Sequence, residues 1–119
     1  MNLAIWDIES SNANTNFGSI IEVGGILVDE NFKEKDRFNL RCRLPEGEIP
    51  QCMALIVNRT SVEQLTKVNL GHYQMLGELE KIFKKWSPAI FICWSNIGFD
   101  DEMIRKEFFK GIRYPYITN

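Results

Sequence analysis

Apolar side chains fill residues 3–6 without a break, and the run stops at Asp7. A segment apolar at nearly every position suits a strand covered on both faces. Residues 10–16, Ser-Ser-Asn-Ala-Asn-Thr-Asn, are turn formers and predict a polar loop. Apolar character returns over residues 20–28, where Gly24-Gly25 predicts a close backbone approach or a bulge. Asp29-Glu30-Asn31 predicts a turn, and residues 32–44 then alternate charged with apolar positions, the period of a half-exposed strand. The three segments predict an antiparallel meander with the first strand as its central member.

Pro45, Gly47 and Pro50 close that region. Thr60 and Glu63 have the spacing of a capping box, which predicts a short helix starting near Thr60. Leu76, Leu79, Ile82, Phe83 and Trp86 recur every three or four residues, predicting an amphipathic helix over residues 73–86. Ser87-Pro88 stops it. Residues 89–94 form a second all-apolar strand, and the polar turn Ser95-Asn96-Ile97-Gly98 leads into a helix from Phe99. Its inward residues are expected to be Met103, Ile104, Phe108 and Phe109. Three strands, two helices, a strand and a helix in that order predict a mixed α/β sheet in one domain.

Composition narrows the function little. The 119 residues carry a net charge of −2, which gives no basic footprint for nucleic acid. Cations gather in two places, Lys33, Lys35, Arg37, Arg41 and Arg43 in one and Lys81, Lys84 and Lys85 in the other. Solvated element faces account for both. Cys42, Cys52 and Cys93 form no CxxC pair and His72 is the one histidine, so a structural zinc site is not expected. Buried free thiols in a reducing compartment are. The first residues lack the cationic and long apolar regions of a signal peptide, and no run reaches membrane-span length. The expectation is a cytoplasmic protein.

Carboxylates end both apolar runs. Asp7 and Glu9 lie two apart on a strand and therefore share a face. Asp100 follows the second run through a short turn. Ligand sites of open α/β sheets lie at strand ends, and three acids gathered there resist ionisation unless a cation neutralises them. Hard oxygen donors suit Mg²⁺ or Mn²⁺. Spacing alone leaves a second reading open, because Asp100, Asp101 and Glu102 in a first helical turn are also favoured by the helix dipole.

Two motifs carry a resemblance. Ile5-Trp6-Asp7-Ile8-Glu9-Ser10 resembles the first motif of DnaQ-like (DEDDh) 3′→5′ exonucleases, and Ser95-Asn96-Ile97-Gly98-Phe99-Asp100 resembles the second. Ile20-Ile21-Glu22-Val23-Gly24 resembles the strand between them. The bacterial exonuclease I branch is most similar, through Asp100-Asp101-Glu102, Phe108-Phe109 and Tyr114-Pro115-Tyr116. The resemblance implies a ribonuclease H-like mixed sheet flanked by helices, with residues 1–119 as the N-terminal two thirds of one exonuclease domain. It implies a hydrolase that shortens single-stranded DNA, or RNA, from the 3′ end to nucleoside monophosphates with two Mg²⁺ or Mn²⁺ ions. Asp7 would bridge the metals, Glu9 would hold one with its water, and Asp100 would hold the other. The substrate-facing set implied is Ser10, Leu55, Ile56, Asn96 and Phe99, with Asn96 and Phe99 fixing the turn beneath the site. Core packing is the equal alternative for Leu55 and Ile56. Glu22 either orients the site or caps a strand edge. Residues 54–60, Ala-Leu-Ile-Val-Asn-Arg-Thr, resemble the family's loop and helix start that wedge against the terminal base, with Asn58 and Arg59 in place of the usual glycine and apolar residue.

The family's third motif supplies a catalytic His and, five residues later, a final metal-binding Asp. After Asp100 the chain has no His, and Asp101 is its only later Asp. Two functions follow as expectations: part of an exonuclease acting in repair, proofreading, RNA processing or CRISPR prespacer trimming, or a non-catalytic nucleic-acid-binding or assembly module. A haloacid-dehalogenase-like reading of Asp7-x-Glu9 lacks the second Asp and the cap-plus-Lys arrangement it needs. The missing motif also predicts exposed apolar surface around Phe91, Phe108 and Phe109, to be covered by a homodimer contact, a partner chain or further sequence.

Overall fold

A computed structural model describes residues 1–93 and 99–118. Four strands form one sheet: β1 (Asn2–Ser10), β2 (Ile20–Val28), β3 (Glu34–Arg41) and β4 (Ala89–Cys93). The order across the sheet is β3-β2-β1-β4. The first three strands pair antiparallel, and β4 pairs parallel to β1 from Asn2↔Ala89 to Trp6↔Cys93. The middle of the meander is thus β2, not β1. The first strand is interior only because β4 returns beside it after three helices, α1 (Cys52–Asn58), α2 (Val62–Thr66) and α3 (His72–Trp86), with α4 (Phe99–Lys110) following.

One face of the sheet makes the core. Ala4, Trp6 and Ile8 of β1 and Val23 and Leu27 of β2 are buried against Met75, Leu76, Leu79, Phe83 and Trp86 of α3 and Met103, Ile104 and Phe108 of α4. The predicted face of α3 is the one that packs, and Phe83 joins Trp6, Phe38, Trp86 and Phe91 in an aromatic cluster. The opposite face of β1, from Leu3 to Glu9, is only half covered. The expectation of a strand covered on both faces therefore fails: the long helices α3 and α4 pack on one side.

Gly25 explains the close approach. A Cβ there would fall 2.7 Å from the Phe38 ring, so the missing side chain admits the ring that links β3 to the cluster. The irregularities in strand pairing lie elsewhere, between Glu9 and Ser10 and between Leu27 and Val28.

Other expectations shift in detail. The short helix after Thr60 begins one residue later, with Ser61 as N-cap and Gln64 closing the capping box. Thr60 is instead buried. The loop and helix start expected over residues 54–60 is instead a helix over Cys52–Asn58. Phe109 is 74% exposed, whereas Phe108 is fully buried and Phe91 packs against the core. The open apolar positions on β4 are Ile90 and Ile92. Both cationic segments are exposed, and most members face acids: Arg37–Glu34, Arg41–Glu22, Lys81–Glu78, Lys84–Glu80 and Lys85–Asp36. All three thiols are free, but the expectation that they are buried holds only for Cys42: Cys93 is half-buried and Cys52, at the start of α1, is exposed.

Candidate functional site

The site is built where β1 ends. Asp7 and Glu9 project from the half-covered face of β1 because the buried positions Trp6 and Ile8 alternate with them. Gly24 lies opposite Asp7 on β2. Its missing side chain keeps the sheet surface open there; a Cβ would come within 3.2 Å of the Asn39 side chain. A depression of about 300 Å³ runs over this surface past Asp7, Glu9, Glu22, Gly24 and Asn39.

Asp100 reaches the same strand end from another direction. It is the second residue of α4 and is 1% exposed. A cavity of about 410 Å³ is lined by Asp7, Glu9, Asp100, Ser10 and Phe99 together. Its other wall is α1, through Met53, Ala54, Val57 and Asn58, with Gln51 before it. Leu55 and Ile56 lie elsewhere on that helix and line a separate depression with Arg59 and Thr60. Asn96 lies outside the described residues.

The resemblance implies that residues 54–60 stand against a terminal base, but it points to Leu55 and Ile56 rather than to Met53, Ala54, Val57 and Asn58. Residues 53, 54, 57 and 58 share one face of a helix, so a helical reading of 52–58 finds them. The segment is apolar almost all round, and that obscures its period.

Two groups register the crowded negative charge. Glu9 is held above the ordinary carboxylate range by burial first, then by Asp7 and by Glu22. Cys93, at the end of β4, is pushed up to about 11 by burial and by the charges of Asp100, Asp101 and Asp7. An all-oxygen donor set under such repulsion fits a hard divalent cation in kind, since the cation relieves it. Among the described residues no three acidic, His or Cys side chains already stand close enough to hold an ion.

Ser10 is fixed rather than free. Its hydroxyl donates to the Asn12 carbonyl at 2.8 Å, and its carbonyl accepts from Asn58 Nδ2 at 2.8 Å. Glu22 is paired with Arg41 at 3.0 Å. His72 is at another place: it opens α3 and its Nε2 lies 3.1 Å from Glu107, which is 2% exposed and also accepts from the Ile20 amide at 2.6 Å. No helix among the described residues is long and apolar enough to cross a membrane.

No family model matches the chain. Among curated proteins it is similar to exodeoxyribonuclease I of Buchnera aphidicola subsp. Schizaphis graminum, 22% identical over 117 residues, covering 98% of this chain and 24% of that protein. Among solved structures it is similar to E. coli exonuclease I in complex with a dT13 oligonucleotide, with a TM-score of 0.87, 17% identity, and coverage of 97% and 25%. It is equally similar to a moderately thermophilic exonuclease I from Methylocaldum szegediense, with a TM-score of 0.88, 18% identity, and coverage of 99% and 25%. The chain thus has the fold seen in the exonuclease I branch of the DnaQ-like fold, and it spans about a quarter of the length of the proteins it matches.

Proposed function

We propose that this chain is an exonuclease-fold domain that binds the 3′ end of single-stranded DNA, or RNA, and contributes Asp7, Glu9 and Asp100 to a site for two Mg²⁺ or Mn²⁺ ions. The observation that carries the reading is the single cavity that all three carboxylates line. Ions held by Asp7, Glu9 and Asp100 would supply activation of a water and charge stabilisation of a phosphodiester's leaving oxygen. The chain's own residues do the rest. Asp7 and Glu9 present adjacent oxygens from a rigid strand, and buried Asp100 adds a third donor from α4. The α1 wall, with Met53 and Val57, supplies apolar surface for a terminal base. Ser10 and Phe99 line the floor.

A second reading rests on one placement. The one His of the chain is paired with Glu107 and lines a different cavity, with Glu48 and Lys110. It cannot take a proton from a water at Asp7. General-base assistance typically contributes 10²–10⁴-fold, so these residues alone bind better than they cut, and a non-catalytic nucleic-acid-binding or assembly role is the alternative.

A 3′-labelled single-stranded oligonucleotide with Mn²⁺ or Mg²⁺ tests both. Binding that weakens in Asp7→Ala, with shortening slow or absent, is the expected result. Rapid shortening abolished by Asp7→Ala would restore the full enzyme reading. Absence of binding to DNA and RNA alike would remove both.

A further inference from the structure

The helix α1 has no buried residue. Met53, Ile56 and Val57 are 61%, 68% and 72% exposed. Burial against the core therefore does little to hold this wall where it stands, and polar bonds at its two ends do more. At the N-terminal end the Gln51 amide donates to the Ser11 carbonyl at 2.8 Å, and Gln51 Oε1 accepts from the Ala13 amide at 3.1 Å. At the C-terminal end Asn58 Nδ2 donates to the Ser10 carbonyl at 2.8 Å.

The Ser10 carbonyl is set apart by a local irregularity. The pairing of β1 with β2 runs Glu9↔Glu22 and then Ser10↔Ile20, skipping Ile21. The carbonyl that Asn58 captures is thus the first after Glu9, at the point where the regular ladder breaks.

Asn58 is tied on its other side as well. Its carbonyl accepts from Thr60 Oγ1 at 3.1 Å, and Thr60 Oγ1 accepts from Arg41 Nη2 at 3.3 Å. Arg41 holds Glu22 at 3.0 Å, and Glu22 faces Glu9. The chain of contacts Glu22–Arg41–Thr60–Asn58–Ser10 closes on β1 beside the carboxylate strand. A side chain without a hydrogen-bond donor cannot close it.

We infer that Asn58 is a positioning residue: its amide latches α1 to the end of β1 and so sets the distance between the apolar wall and Asp7–Glu9. The ligand of that wall, a nucleic-acid 3′ end, rests on the function proposed above; the latch does not. Glycine, usual at this place in the resembled family, has no side chain with which to make the bond.

Two measurements on the whole chain test it, with Asn58→Ala and Asn58→Asp compared to the unchanged protein. The Asp variant keeps the size of the side chain and turns an acceptor toward the Ser10 carbonyl. In hydrogen–deuterium exchange, α1 amides are expected to exchange about tenfold faster in both variants, the scale of one lost hydrogen bond, while β1, β2 and α3 keep their protection. In binding, preference for an oligothymidylate with a 3′-hydroxyl over the same strand with a 3′-phosphate should fall severalfold. A merely structural role would lower protection across β1 and α3 and leave that preference intact. Unchanged α1 protection in Asn58→Asp, or α1 amides already unprotected in the parent, would overturn the latch. A parent chain that binds neither oligonucleotide would sink the proposed function instead, with the exchange result still deciding on Asn58.

Discussion

Glu22 stands directly across the ladder from Glu9. Like charges at opposed positions repel, and Glu22 is one of the groups that hold Glu9 above the ordinary carboxylate range, after burial and Asp7. Glu22→Gln removes that repulsion and leaves the Arg41 charge beside it. Both changes favour ionised Glu9. A carboxyl ¹³C titration should show Glu9 losing its proton at lower pH in Glu22→Gln, with a larger displacement in Asp7→Asn. An unchanged Glu9 midpoint in both variants would contradict the geometry.

Divalent ions should stabilise the chain through these same acids. A ligand of the folded state alone adds about 2.7 kcal/mol at a hundred times its Kd. A calorimetric melt with Mn²⁺ is therefore expected to move up, and to return on chelation. Asp7→Ala should show no such rise. Its ion-free melt should match or exceed the parent's, because one member of a repelling set is gone.

Glu107 joins three elements at a buried point, as a residue of α4 bonded to the first amide of β2 and to His72 of α3. Glu107→Ala leaves a buried amide without its acceptor, and the cost should be on the order of 3 kcal/mol. Glu107→Gln keeps an oxygen toward Ile20 and should lose less. Denaturant titrations separate the two, and equal losses would mean that the carboxylate charge, which both variants remove, sets the cost rather than the truncation.

Glu48 carries a pH signature of opposite sign to that of a salt-bridged acid. Burial pushes its carboxyl up, against the lowering effect of the Ser19 hydroxyl at 2.9 Å. A carboxyl raised in the folded state contributes stability that is fully present below its unfolded pKa and is lost as pH rises through the folded one. The parent should therefore lose stability relative to Glu48→Gln as pH climbs above the ordinary Glu range, with the two alike in more acidic buffer. Paired melts at several pH values measure this; a difference that is flat with pH would count against it.

Much of the sheet and its carboxylates could be read from the chain alone. Asp7 and Glu9 stood out because Trp6 and Ile8, the residues between and beside them, are apolar; that alternation is what turns the acids to one face. Asp100 stood out because it opens a helix after an apolar strand. The helical form of the α1 wall, and the side of it that faces the cavity, did not. Its residues, Cys-Met-Ala-Leu-Ile-Val-Asn, show no polar face, since the side that ordinarily meets water and the side that ordinarily meets the core are both apolar here. Amphipathic period is a signal of core packing, and a helix that packs on no core lacks it. The Asn58–Ser10 bond was equally invisible, because it joins residues 48 positions apart and depends on a pairing irregularity that leaves no trace in composition. Ile90 and Ile92 misled in the other direction. Their apolar strand reads as covered on both sides, yet only Ala89, Phe91 and Cys93 pack on the core, and Ile90 and Ile92 alternate with them on the open face.

A helix with no fully buried side chain has an unusual thermodynamic independence. Denaturant slopes and heat-capacity changes both scale with the surface exposed in a transition, and undocking α1 exposes very little. Its release from the strand end should barely respond to urea and should show almost no curvature with temperature. The sheet and its two long helices, by contrast, melt with the full response of a buried core. A probe placed on α1 would thus report an equilibrium of its own inside the native state, governed by a few hydrogen bonds and by whatever occupies the cavity beside it.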